Sequence, residues 1–351
     1  MTQSQLAEQA AEELPPQERE SRLARLATAN VLWILIILIA LVVAFTLINP
    51  RFLTPFNIRS IFSDNASLIV LALGMTLVIV TAGIDLSVGS VLIFSGVVSG
   101  KVMLAFGSAN AQVGASHLGW GLILVGILAG IAAGTAFGLI NGFLVARAKV
   151  NPLIVTLGTY GIALGASYLL THGTDLTGIP NRLTNSVGFG NLFGQIPYQV
   201  VIAGVVAILL GLMMAYTKFG RYTYAIGSNA EAARRVGIKV DRHLIAVYSL
   251  MGALSGLAGC MSLAHFATTT ISGHTTDNLS AIAAAVIGGC SLFGGRGTIA
   301  GTIIGVLIPA TLDSGFVIIG VNPYWQFVAV GIVLIGAVYL DQVRRQRREQ
   351  S

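Results

Sequence analysis

The chain has 351 residues, 55% of them hydrophobic and only 10% charged, with a formal net charge of +6. Soluble globular domains carry about 25% charged residues, and a mean hydropathy of +0.82 leaves too little polar surface to coat a soluble particle of this size. That composition excludes a soluble enzyme or binding module. The basic excess sits in short clusters beside apolar runs, which argues against a nucleic-acid partner.

Residues 1–30 form a polar tail, acidic and then basic, and the apolar run 31–48 follows. No small-residue cleavage site precedes "INPRF", so the run reads as a retained first span rather than a removed signal peptide. Further spans are expected at about 62–82, 86–106, 119–146, 152–171, 198–217, 244–266, 278–290, 296–319 and 324–340. A spanning helix needs about 20 mostly apolar residues, so the eighth is expected to be broken or re-entrant. Residues 31–340 are then one transmembrane domain, and 341–351 a basic tail. The expected fold class is an all-α polytopic membrane protein of about ten helices embedded in lipid, some short or broken.

Ten spans put both ends on one side. The basic clusters at 218–242 and 344–348 place that side in the cytoplasm. The linkers 107–118 and 172–197 then fall outside, the second reading as loop from its Gly, Asn and Pro content. Glycines recur at helical spacing (Gly126, Gly130, Gly134 and Gly138, then Gly252, Gly256 and Gly259), a pattern that lets helix backbones approach closely. Cys260 and Cys290 lie inside apolar segments and read as small buried hydrophobes, not as a disulfide or metal pair.

Two segments share a plan of apolar run, glycine-rich break and small-residue helix: "VIVTAGIDLSVGSVLIFSGV" and "AAVIGGCSLFGGRGTIAGTIIGV". Paired interruptions of this kind mark transport pathways in internally repeated transporters. The first break holds Asp85 between apolar runs, where a charge costs roughly 2.5–3.5 kcal/mol at a helix centre. Asp85 either caps the following helix, accepting backbone N–H bonds near its positive end, or lines a pathway.

The basic linker 218–243 contains Ser228 and, three residues on, Glu231, a capping-box spacing that opens a short helix over "NAEAARRV", with Gly237 placed to end it. So short a helix is marginal alone in water, and this one is either a docking element for another protein's groove or a solvated charged loop. No G-x-x-x-x-G-K-[ST] motif occurs, so no nucleotide site is expected. His265, His274 and Asp277 match no zinc spacing, and there is no G-x-S-x-G elbow. Neither a cofactor nor covalent chemistry is expected on this chain.

The stretches "GMTLVIVTAGIDLSVGS" (74–90), "NGFLVARAKVNPLIVTLGT" (141–159), "FGRYTYAIGSNAEAARRVGI" (219–238) and "AIAAAVIGGCSLFGGRGTIAGT" (281–302) resemble the permease subunits of bacterial ABC importers for monosaccharides of the ribose, xylose and arabinose type. The resemblance runs from about residue 30 to 341 and implies a homodimer of ten-span subunits in the inner membrane. It also implies a periplasmic sugar-binding protein and a separate cytoplasmic P-loop ATPase as partners. On it, Glu231, Ala232, Ala233 and Gly237 match the family's "EAA…G" loop, and Ser228, Asn229 and Arg234 join them in ATPase coupling. One departure stands out: many relatives carry Glu-Leu-Asp where this chain has Asn278-Leu279-Ser280. Candidate contacts for a neutral, hydroxyl-rich solute are Asp85, Ser87, Asn278 and Ser280. The alternatives are an ion-coupled secondary transporter using Asp85 and Asp313, or the same ABC architecture carrying a branched-chain amino acid or nucleoside.

Overall fold

The structure, a computed structural model, describes residues 30–109, 118–322 and, beyond them, 324–326, 328, 331–332 and 335–336. The expected tail 1–30 apart from Asn30, the tail 341–351, residues 110–117 of the expected outer linker and most of the tenth span lie outside the described residues.

Twelve helices carry the described part: α1 (Asn30–Ile48), α2 (Pro55–Asp64), α3 (Ala66–Val80), α4 (Val88–Ala109), α5 (Trp120–Ala146), α6 (Pro152–Thr171), α7 (Tyr198–Tyr216), α8 (Lys218–Ser228), α9 (Ala230–Arg235), α10 (Val240–Phe266), α11 (Asp277–Ile287) and α12 (Ile299–Ile319). Seven are long and apolar enough to cross a membrane, and α2 with α3 make an eighth crossing if the pair counts as one span. The chain is thus an all-α polytopic membrane protein.

One span differs from the sequence reading, and another takes the short form expected of it. The expected second span is a pair bent by 47° between Asp64 and Asn65, where the Asn65 side chain donates to the Ile61 carbonyl and closes α2. The eighth is α11 alone, 11 residues long. At 1.5 Å rise per residue it covers about 16 Å, roughly half of the hydrocarbon core. The 172–197 linker is also less irregular than its composition suggests. It holds a helical turn, a π-type turn at Thr184–Gly188 and a two-residue antiparallel pairing of Leu192 with Ile196.

α3 is uncharged and apolar on every side, and 14 of its 15 residues are buried. It forms the centre, with α7, α10, α11 and α12 packed around it. The outer helices turn apolar side chains outward, as Leu153, Ile154, Leu157 and Ile162 do on α6, the arrangement lipid selects. α1 lies along α12, with Ile34 packed beside Ile308.

The glycine spacing corresponds to a helix contact. Gly134 of α5 faces Gly252 and Gly256 of α10, Gly138 faces Tyr248 and Ser249, and Gly259 faces Leu92 and Gly96 of α4. A β-carbon at Gly256 would lie 2.7 Å from the Ile131 Cα, so no side chain fits there. The two segments that share a plan in sequence both fold as helix–break–helix, α3–(81–87)–α4 and α11–(288–298)–α12. They pack on one another, joined in the core by the Thr76 and Thr302 hydroxyls at 2.6 Å.

Candidate functional site

Two places collect the polar chemistry of an otherwise apolar bundle. The first is the break between α3 and α4. The Thr81 hydroxyl and the Gly83 N–H both donate to the Val78 carbonyl, satisfying the end of α3. Ala82 takes a left-handed conformation with φ +61°, and the chain runs non-helical until Val88. Irregular backbone at membrane depth survives only where protein or water satisfies it, and here the protein does so.

Asp85 is 2% exposed, and no cationic side chain is paired with it among the described residues. Its Oδ1 accepts from the Ser87 N–H at 2.9 Å and from the Ser87 hydroxyl at 2.6 Å. The Asn141 amide of α5 donates to that hydroxyl at 2.9 Å, and the Thr159 hydroxyl of α6 donates to the Asn141 oxygen at 2.8 Å. The donors therefore run in one direction, Thr159 to Asn141 to Ser87 to Asp85, and end on a group that only accepts when ionised. The cap expected of Asp85 takes a modified form. It closes a turn onto Ser87, one residue before the helix begins, rather than bonding into the first turn of α4.

Asn278 joins the same place from α11, its amide donating to the Leu86 carbonyl at 3.0 Å. Asp85, Ser87 and Asn278 thus converge on one short segment. Asp85 and Ser87 are enclosed, with hydrogen bonds already made. Ser280 stands apart, on the wall of a cavity of about 290 Å³ shared with Asn65, Thr276, Leu279 and Gln326. Asp277 accepts from His274 at 2.7 Å, and His274 meets the Ser262 hydroxyl at 2.7 Å. Ser262 is only 4% exposed, so this chain of three pins the 267–276 segment against α10.

Asn141 was not legible as a site residue, since both partners lie far off in sequence. Tyr248 was missed as well. Its hydroxyl is buried without a partner among the described residues, and a β-carbon on Gly83 would lie 2.7 Å from it.

The second place is α8–α9. The helix start differs from the capping-box reading. Asn229 is the N-cap, its side chain accepting from the Ala232 N–H at 2.9 Å, while Ser228 ends α8 and donates to the Tyr224 carbonyl. Asn229 can be extended while still one residue from α9, a position Ser228, still helical, does not occupy. Glu231 pairs with Arg235 one turn on instead of reaching back to the cap.

Gly237, at φ +88°, ends α9. The Ile238 N–H bonds the Ala233 carbonyl and the Gly237 N–H bonds that of Arg234, the double closure of a Schellman motif. Ala233 is buried beside Ile226 and Val240, whereas Glu231, Ala232, Arg235 and Val236 are exposed. Asp241 holds the element from below, accepting from Arg234 and from Lys149 of the α5–α6 turn, each at 2.8 Å. Tyr224 of α8 donates to the Gly297 carbonyl at 2.8 Å, and burial, with the Cys290 thiol behind it, pushes the phenol above its usual range so that it stays a donor. Among the described residues no cluster of His, Cys, Asp and Glu could hold a metal ion.

Residues 57–338 match the family described as Branched-chain amino acid transport system / permease component. The chain is 36% identical over 314 residues to the ribose import permease protein RbsC of Escherichia coli (strain K12), covering 89% of this chain and 93% of that protein. It is 38% identical over 306 residues to the ribose import permease protein RbsC of Bacillus subtilis (strain 168), covering 87% and 90%. To the fructose import permease protein FrcC of Rhizobium meliloti it is 33% identical over 317 residues, covering 88% and 84%. No solved structure matches.

Proposed function

The chain belongs to the branched-chain amino acid transport system / permease component family, and on that premise we propose that it is the membrane-embedded permease of an ATP-driven importer for a monosaccharide or related polyol. The relatives above are named for ribose and fructose import, which favours the sugar branch of the family. The observation that carries the ATP-driven reading is α9. It is a six-residue helix capped at both ends, anchored by Ala233 and Asp241, with Glu231, Ala232, Arg235 and Val236 outward. An isolated helix that short does not persist for its own sake, and its apolar exposed positions between two charges suit a groove in another protein.

On this reading, α8–α9 faces the cytoplasm and seats in a separate P-loop ATPase subunit, both termini are cytoplasmic, and a periplasmic binding protein delivers the sugar to a homodimer in the bacterial inner membrane. Covalent chemistry resides in the ATPase alone. Solute passes beside α11, with Ser280 on the wall of the open cavity, Asn278 buried against the Leu86 carbonyl, and Asp85 and Ser87 holding the segment behind them. The secondary-transporter alternative leaves the double-capped α9 without a role.

The test is affinity purification of the tagged chain from gently solubilised native membranes. Stoichiometric recovery of a P-loop ATPase, together with ATP-dependent uptake that survives collapse of proton and sodium gradients, is expected. Gradient-driven uptake by the chain alone overturns the proposal.

A further inference from the structure

Where α8 ends, three stretches of backbone meet with no side chain between them. A β-carbon at Gly227 would fall on the Val80 carbonyl oxygen at the end of α3 and lie 2.6 Å from the Gly295 nitrogen. The Gly295 N–H itself donates to the Val80 carbonyl at 2.9 Å. Gly294, at φ +85°, would place a β-carbon 2.7 Å from the Gly227 carbonyl and 2.8 Å from the Ala82 side chain. Tyr224, one turn before Gly227, clips the same loop through its bond to the Gly297 carbonyl. The glycines of "GGRG", which match no nucleotide-binding motif, are accounted for by this contact.

Val80 and Ala82 lead directly into Asp85. Ala82 holds a left-handed conformation that a non-glycine residue keeps only when its surroundings impose it, and Gly294 is part of those surroundings. Contacts made through side chains can absorb a shift by changing rotamer. Contacts made backbone to backbone cannot, because packed interiors resist compression.

We infer that the Gly227–Val80–Gly295 contact is the joint through which movement of α9 displaces the Ala82–Asp85 segment, with Tyr224 as its positioning residue. This rests on α9 being the ATPase dock. It adds a route from the dock to the break in the membrane and a set of residues that belong to neither.

The test uses the full complex of permease and ATPase in proteoliposomes supplied with binding protein and sugar, reading ATP hydrolysed and sugar accumulated separately. Gly227→Ala is expected to lower sugar moved per ATP by about two- to thirtyfold, with the ATPase still bound in wild-type ratio. Tyr224→Phe keeps the ring and loses only the bond to Gly297, so it should lower the same ratio by a smaller factor while the protein inserts normally. It decides the matter if Gly227→Ala does not fold. An unchanged ratio in Tyr224→Phe, or loss of the bound ATPase in either variant, overturns the inference. A wild-type chain that binds no ATPase overturns instead the docking reading beneath it.

Discussion

The amide of Asn141 lies 2.9 Å from the hydroxyl of Ser87, and the carboxylate of Asp85 beyond it sets which atom donates. Because Ser87 has a single proton and gives it to Asp85, it can only accept from α5. The three groups are therefore interdependent in a way that three separate hydrogen bonds are not.

A double-mutant cycle reads that interdependence. Asn141→Ala and Ser87→Ala should each destabilise the solubilised protein, with a coupling energy of about 0.6–1.7 kcal/mol, the range found for hydrogen bonds between membrane helices. Thermal unfolding of the four proteins in one detergent measures it. Strict additivity would mean that the Asn141–Ser87 bond contributes nothing of its own.

Asp85→Asn keeps an oxygen that can accept from both Ser87 donors and removes a buried ionisable group. Melting temperature should stay level or rise, and uptake should fall by less than about tenfold, since Asn and Asp cap comparably. Asp85→Leu leaves the Ser87 N–H without its acceptor and should abolish uptake. A stable Asp85→Asn protein with no uptake at all would assign the work to the charge and reopen the ion-coupled reading.

Gly237→Ala meets no atom within 4 Å, so its effect comes from backbone conformation alone. A left-handed alanine costs about 1–2 kcal/mol, enough to fray a six-residue helix and reduce ATPase recovery in pull-downs. Gly237→Asn should keep most of the binding, because asparagine tolerates this conformation. Equal recovery of ATPase by the two variants would count against the Schellman closure as the source of α9's order.

Glu231→Lys breaks an exposed pair worth about 0.3–0.5 kcal/mol, so the melting temperature of the permease alone should hardly move. ATPase association and uptake should nonetheless be lost, since the new charge stands at the docking face. Wild-type uptake in this variant would remove α9 from the coupling assignment.

Much of the bundle was legible in the sequence because lipid demands it: the long uncharged runs fold as apolar helices, and the glycines four apart on α5 and α10 mark a close contact. What escaped notice depended on distance or on a single-residue offset. Asn141 looks like one amide in a greasy helix until Thr159 and Ser87 are brought beside it by α6 and α4. The choice between Ser228 and Asn229 as cap turned on which residue leaves the helical region first, and both are good caps. The bend at Asn65 has no proline to announce it. Gly227 is unremarkable in its own helix and decisive only against Val80, 147 positions earlier.

The seam between α5 and α10 has one further consequence. Its contact surface is bare main chain at Gly134, Gly138, Gly252 and Gly256, where a β-carbon would meet the facing backbone at 2.7 Å or less, so a shift that brought a side chain to any of them is blocked. The two helices consequently have one axial register and travel as a single slab. Any movement in this bundle is therefore to be sought at the half-length α11 and the two breaks rather than along the seam.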